Sequence, residues 1–287
     1  MKLLRGHVAV ITGAASGMGR ALSIELAIKG CHLALVDKNQ IGAEETADLV
    51  KNHPEIDAVK LKITTHKVDV ANRAGMEQLS REVLANHHQV NILINNAGIT
   101  FSKTIEEHTE HDFDLMLGVN LRGVINGCSV FLPYLRQVEE AHIINISSMA
   151  GFLGIPTQSA YCMTKAAVRA FTESLWAELS GSNIGVTCVY PGAVRTNILR
   201  ASTDLASDKI TAEKMADIVD KFAMQPEKAA KKIVHAIERN KMRLLIGIDA
   251  YILELLKRIF PTLIHRIFGI AYRLKDRLLP TGLPQKQ

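Results

Sequence analysis

The feature that most constrains how this chain can fold is a glycine-rich turn held between a strand and a helix. His7 to Thr12 is a short apolar run of strand character. It leads into Gly13-Ala14-Ala15-Ser16-Gly17-Met18-Gly19, and a helical pattern follows from Arg20 to Lys29. Such a succession points backbone N–H groups and the positive end of a helix at one place, which makes a cradle for a diphosphate. Gly13 permits the tight turn, Gly17 lets the backbone approach the phosphates, and Gly19 allows helix and strand to pack closely. Ser16 and Met18 complete the candidate cradle.

The second strand, His32 to Val36, ends in Asp37, about twenty residues beyond the turn. A carboxylate at that offset accepts hydrogen bonds from both hydroxyls of an adenosine ribose and repels a 2′-phosphate, so NAD is expected over NADP. Lys38 is the opposing signal and keeps NADP as the alternative, although Ser16 leaves the glycine turn without a basic residue. A helix from Gly42 to about Asn52 and a strand from Thr64 to Val68 come next. Asp69 is then placed either to bond an adenine amino group or to cap the helix beginning near Asn72, and Val70 joins the cofactor-contact candidates. A fourth strand, Val90 to Ile94, delivers Asn95-Asn96-Ala97-Gly98, whose small and amide side chains can lie against a cofactor and bond neighbouring strands. Leu115 to Leu132 is apolar at helical spacing, with Asn120 in its interior. Asparagine is a mediocre helix former, so this one invites a reason.

Ile143 to Ile146 reads as a buried strand that presents Ser147 and Ser148 at its end. On the helical segment beyond it, Tyr161 and Lys165 are four residues apart and share a face. An ammonium beside a phenol favours the phenolate, which can exchange a proton with an alcohol or carbonyl oxygen. The pair alone is weak, since tyrosine and lysine are common on helices. Its weight comes from the nucleotide cradle upstream and the hydroxyl of Ser148.

Taken together, Thr12-Gly13-x-x-x-Gly17-x-Gly19, Asn95-Asn96-Ala97-Gly98, Asn120, Ser148, Tyr161-x-x-x-Lys165 and Pro191-Gly192 resemble the short-chain dehydrogenase/reductase family in order and interval, over about residues 5 to 247. The resemblance implies an α/β fold, a single Rossmann-type doubly wound parallel sheet with helices on both faces. It also implies a nicotinamide cofactor and a catalytic tetrad matching Asn120, Ser148, Tyr161 and Lys165. Val194 and Thr196, after the Pro191-Gly192 turn, match positions that contact the nicotinamide carboxamide. A homo-oligomer, dimer or tetramer, is the family expectation.

Met149, Phe152, Leu153 and Ile155 are candidate pocket residues. With few polar groups among them, they point to a small lipophilic alcohol or ketone, and residues 193–225 read as a lid. Residues 1–248 are expected to form the catalytic domain and 249–287 a basic amphipathic tail. In the tail, apolar residues from Ile252 to Leu274 recur at three- and four-residue steps, and Pro261 should split the run into two helices. The net charge of +5 belongs to this end: residues 239–287 hold ten Lys/Arg and three Asp/Glu, against 24 and 26 before them. A basic amphipathic helix can lie on a membrane or dock on protein, docking being slightly favoured.

Nucleic-acid binding is not expected, because the tail does not interleave aromatic and basic residues as a groove would. No metal site is expected either, since His108 and His111 have helical ligand spacing but nothing completes a ligand set. Cys31, Cys128, Cys162 and Cys188 read as reduced, buried thiols. No signal peptide and no run long enough to span a bilayer are evident, which suggests a cytoplasmic protein with peripheral membrane contact as a further expectation.

Overall fold

The computed structural model describes residues 1, 4–195 and 223–278, with side chains as far as 274. Seven parallel strands form one sheet: β1 (Val8–Thr12), β2 (His32–Asp37), β3 (Ile63–Lys67), β4 (Ile92–Asn95), β5 (Ala141–Ile146), β6 (Ile184–Pro191) and β7 (Arg243–Ile246). Their order is β3-β2-β1-β4-β5-β6-β7. The central strands are continuous apolar runs because both faces are covered, as a parallel sheet requires. Every residue of β1, β4 and β5 is buried.

Side chains of β1 alternate between two cores. Ala9 and Ile11 join α1 (Gly17–Ile28), α2 (Gln40–Lys51) and α7 (Pro226–Glu238) on one face. Val10 joins α3 (Arg73–His87), α5 (Gly123–Leu135) and α6 (Ser159–Glu178) on the other. From β1 the chain winds outward through β2 and β3, then returns to place β4 on the other side of β1. That reversal opens a crevice at the carboxyl ends of β1 and β4, where such sheets bind ligands.

Two expectations are corrected here. The uniform helix expected over Leu115 to Leu132 is instead α4 (Glu110–Leu117), a π-helical turn (Gly118–Arg122) and α5. Asn120 lies inside the π turn, where its amide bonds the backbone of Ile99 in both directions: Ile99 N–H donates to Oδ1 at 2.8 Å and Nδ2 donates to the Ile99 carbonyl at 2.9 Å. The amide thereby ties the π turn to the segment after β4 rather than to the helix's own backbone. Secondly, the rod Glu110–Leu135 is long and apolar enough to span a bilayer by length and composition. Here its apolar character serves the interior, where Val124, Cys128 and Phe131 are buried in the sheet's second core.

The tail divides at Pro261, as expected, into α8 (Ile248–Ile259) and α9 (Leu263–Leu278). Its root is fixed to the sheet. Gly247 takes φ +97°, and the following Asp249 accepts the N–H of Ala193 at 2.7 Å. The Asp249 carboxylate fills the space a side chain at Gly192 or Gly247 would need. One contact thereby joins the tail to the turn after β6.

Candidate active site

The glycine turn has the shape its sequence implies. Gly13 and Gly17 take positive φ, +68° and +54°, the left-handed region that favours glycine. Gly19 packs so closely on the Gly13 carbonyl that a Cβ there would collide with it. Met18 is buried and Ser16 exposed. Helix α1 begins at Gly17, three residues earlier than its apolar pattern suggests, and its first turn receives no side-chain cap from Ser16. By contrast, α2 and α3 are capped by Asn39 and Asn72. An uncapped first turn leaves backbone donors for an anion.

Asp37 stands beside this turn at the end of β2. Its Oδ2 accepts Ala15 N–H at 3.0 Å and its Oδ1 accepts Asn39 N–H at 2.9 Å. A carboxylate offers about four acceptor sites, so capacity remains for two ribose hydroxyls. Lys38 is exposed. The neighbouring Arg20 is engaged by the Ala15 carbonyl at 2.6 Å, Thr46 at 3.0 Å and Glu45 at 3.0 Å. Asp69 is exposed and bonds Ala71 N–H at 2.9 Å, while Val70 is buried. The helix cap foreseen as one option for Asp69 falls to Asn72, which accepts Gly75 N–H at 3.1 Å.

Across the crevice, Asn96 donates to the carbonyls of Thr12 and Gly13 at 2.9 and 3.2 Å, and Thr12 Oγ1 accepts the N–H groups of Asn96 and Ala97. These bonds lock the end of β4 against the glycine turn. Beneath it, Asn95 donates to Asn145 at 2.8 Å and Asn145 to Thr172 at 3.1 Å, a buried relay joining β4, β5 and α6. Asn145 was legible as a lone amide inside the apolar run IINI, yet its sequence alone named no partner.

Asn120, Ser148, Tyr161 and Lys165 converge at the carboxyl end of β4 and β5. The Ser148 hydroxyl lies beside the Tyr161 phenol, and its Oγ accepts the N–H of Ala150 at 3.1 Å. Lys165, almost fully buried, donates Nζ to the Ile146 carbonyl at 2.9 Å and lies 5.7 Å from the Tyr161 ring centroid. Gly98 fills the interval between Lys165 and Asn120: a Cβ there would stand 3.5 Å from Lys165 Nζ and 3.3 Å from Asn120 Oδ1. Burial pushes the Tyr161 phenol up to about 12 against the opposing effect of Ser148, and lowers the Lys165 ammonium to about 8. The depressed phenol expected from the Tyr-x-x-x-Lys pair is not found, because burial dominates and raises it.

The apolar residues around the site divide differently from the sequence expectation. Met149 is half-buried in a cluster with Cys188, Tyr190, Leu245 and Ala250. Phe152 stacks on Tyr190 at 4.5 Å, with the guanidinium groups of Arg169 and Arg243 at 5.4 and 5.2 Å from its ring. Leu153 is buried. Ile155 is half-buried and gives its N–H to Cys162 Sγ at 3.4 Å. Tyr161 instead packs with Phe101, Met116, Ile99, Phe113 and Leu115, from the segment after β4. His108 sits between the rings of Phe101 and Phe113, and His111 is exposed. Pro191 and Gly192 end β6, and Val194 pairs with Met224. Thr196 and most of the lid expected over 193–225 lie outside the described residues.

A parallel sheet with a diphosphate cradle at its switch point, and a tyrosine, serine and lysine beside it, defines a dinucleotide-dependent oxidoreductase class. Comparison with known proteins agrees: residues 7–206 match the family model of short chain dehydrogenases. The chain belongs to the short-chain dehydrogenase/reductase family and is an NAD(P)-dependent oxidoreductase. It is 35% identical over 277 residues to SadH of Mycobacterium tuberculosis, named as an oxidoreductase, covering 94% of this chain and 98% of that one. Among solved structures, a short chain dehydrogenase/reductase from Burkholderia phymatum in complex with NAD is 27% identical with a TM-score of 0.78, covering 100% of this chain and 99% of that one. An alcohol dehydrogenase from Thermococcus sibiricus complexed with 5-hydroxy-NADP is 26% identical with a TM-score of 0.69, over 84% and 94% of the two chains.

Proposed function

We propose that the protein interconverts a lipophilic secondary alcohol and its ketone, with NAD(H) as the preferred cofactor. The observation that carries the reading is the juxtaposition of Ser148 and Tyr161 with buried Lys165, next to a glycine turn with an uncapped helix. Gly13, Ser16, Gly17, Met18 and Gly19 would hold the diphosphate, Asp37 the adenosine ribose, and Asp69 with Val70 the adenine side. Asn96, Ala97, Gly98, Pro191, Gly192, Val194 and Thr196 would line the nicotinamide half. The bound nicotinamide supplies hydride transfer and, when oxidised, a positive charge.

Ser148 orients the substrate oxygen. Tyr161 takes the hydroxyl proton during oxidation and returns it during reduction. Burial, which raises its pKa to about 12, suits the acid of the reduction, and proton removal at neutral pH relies on positive charge from Lys165 and the oxidised ring. Asn120 keeps acceptor capacity on Oδ1, close enough to Lys165 across Gly98 to anchor a water between them. The apolar side chains packed on Tyr161 support a lipophilic substrate over a sugar or phosphate. The remainder of the reading is a homo-oligomer in the cytoplasm with peripheral membrane contact through the tail.

Preference for NAD is supported by the seating of Asp37 and by the prior engagement of the neighbouring Arg20, which leaves exposed Lys38 as the cation that favours NADP. The test is fluorescence titration with NADH and NADPH, for wild type and Asp37→Ala. Tighter NADH binding that Asp37→Ala abolishes is the expected result; tighter NADPH binding by wild type would overturn it. A following screen of aliphatic and cyclic secondary alcohols against polar ones decides the substrate class.

A further inference from the structure

The tail exposes more apolar surface than anything else described in the molecule. Ile252, Leu255, Ile259, Leu263, Ile267 and Ile270 are each 47–58% exposed and recur along α8 and α9. A stripe of this length on a monomer marks an interaction surface. Charge indicates what it meets. Residues 248–274 contain two acids, Asp249 and Glu254, and both are turned inward. Asp249 accepts Ala193 N–H, and buried Glu254 is ion-paired with Arg243 and Arg258. Arg258, Arg266 and Arg273 are exposed. The described outward-facing charge of the two helices is therefore basic.

A two-fold contact between copies along this stripe would set basic flank beside basic flank, with no outward acid among the described side chains to pair them. An anionic lipid surface supplies both an apolar layer for the stripe and countercharge for its flanks. We infer that α8 and α9 seat the protein on an anionic lipid surface, with the loop that follows Ser148 held close to that surface. The second half of the statement follows from where the tail is rooted. Ala250 of α8 packs with Met149 and Phe152, in the loop after Ser148, and His265 of α9 stands over Gly154 of the same loop. Only this use of the seat, handing over substrate dissolved in lipid, rests on the lipophilic-substrate reading above.

The test is cosedimentation of the full chain, loaded with NADH, with phosphatidylcholine vesicles and with vesicles containing phosphatidylglycerol. Binding to the anionic vesicles at low salt is expected, weakened about tenfold or more by high salt or by omission of the anionic lipid. The double variant Leu255→Glu/Ile259→Glu should lose binding while retaining wild-type NADH affinity. Should that variant prove unstable, Arg266→Gln/Arg273→Gln keeps the apolar stripe and should bind anionic vesicles about tenfold more weakly. Wild type left in the supernatant overturns the inference, as does equal binding to both vesicles. Sedimentation velocity in which the glutamate variant dissociates an oligomer, without wild-type vesicle binding, would assign the stripe to a second copy and also overturn it.

These arms contain no alcohol, so they can succeed where the substrate reading fails. The handover is read separately. With a long-chain secondary alcohol held in vesicles, the glutamate variant should lose about tenfold in rate, while turnover of a short water-soluble secondary alcohol stays at the wild-type level. Equal loss on both alcohols overturns the handover.

Discussion

Ile92, Leu93 and Ile94 of β4 and Ile252, Leu255 and Ile259 of α8 are side chains of the same kind, and their burial differs completely. The first three are fully buried; the last three are 50%, 58% and 56% exposed. In the sheet, an apolar run is covered by helices that the same chain provides on either face. In the tail, the same physical demand is left open on the outward side. Apolar periodicity thus specifies that a face is to be covered, while only the packed structure tells whether the chain covers it itself.

The difference can be broken at several points. The largest effect is expected at the site the sheet supports: Tyr161→Phe removes the proton donor and should lower kcat by about 100- to 10,000-fold with NADH affinity retained, read by steady-state kinetics beside cofactor titration. Leu93→Ala, in the core, should cost about 2–5 kcal/mol in denaturant unfolding. The outward counterpart, Leu255→Ser, should change stability by no more than about 0.5 kcal/mol. If the two substitutions cost the same, the tail is covered in solution.

Between these lies an acid effect. Burial holds His87 down to about 4 and His142 down to about 3, against 6.5 in an open chain. As pH falls below about 6.5 the unfolded chain takes up protons that these two folded histidines refuse, so stability should decline progressively from there toward pH 3. A thermal midpoint unchanged between pH 7 and pH 4 would contradict both shifts.

Much of the fold was legible because its signals are local. The glycine turn, the strand runs and the break at Pro261 each depend on neighbouring residues, and the first five strands appear within two residues of their expected bounds. What required the structure depends on partners distant in the chain. Asn145 finds Asn95 and Thr172, and Phe152 finds Tyr190 between two arginines. Asp249 finds Ala193, 56 residues earlier in the chain. The environment of Tyr161 was least legible of all: its apolar neighbours come from residues 99–101 and from α4, about 45 to 60 residues earlier in the chain, whereas the loop next to it in sequence sends Phe152 elsewhere.

The π turn at Gly118–Arg122 sets a relation of phase between the two ends of its rod. Upstream, Met116 packs at Tyr161; downstream, Gly127 lies so close to Asn95 that a Cβ would strike its amide. Each residue of an α-helix turns the chain by about 100°. A π turn spends about one more residue on a revolution than an α turn does, so deleting one residue from it would leave both flanks in phase and cost the seat of Asn120 itself. The wider turn gives one rod room for an extra residue without turning either flank from its partner, whereas a deletion between it and Met116 or Gly127 has no such slack and should swing one contact out of line.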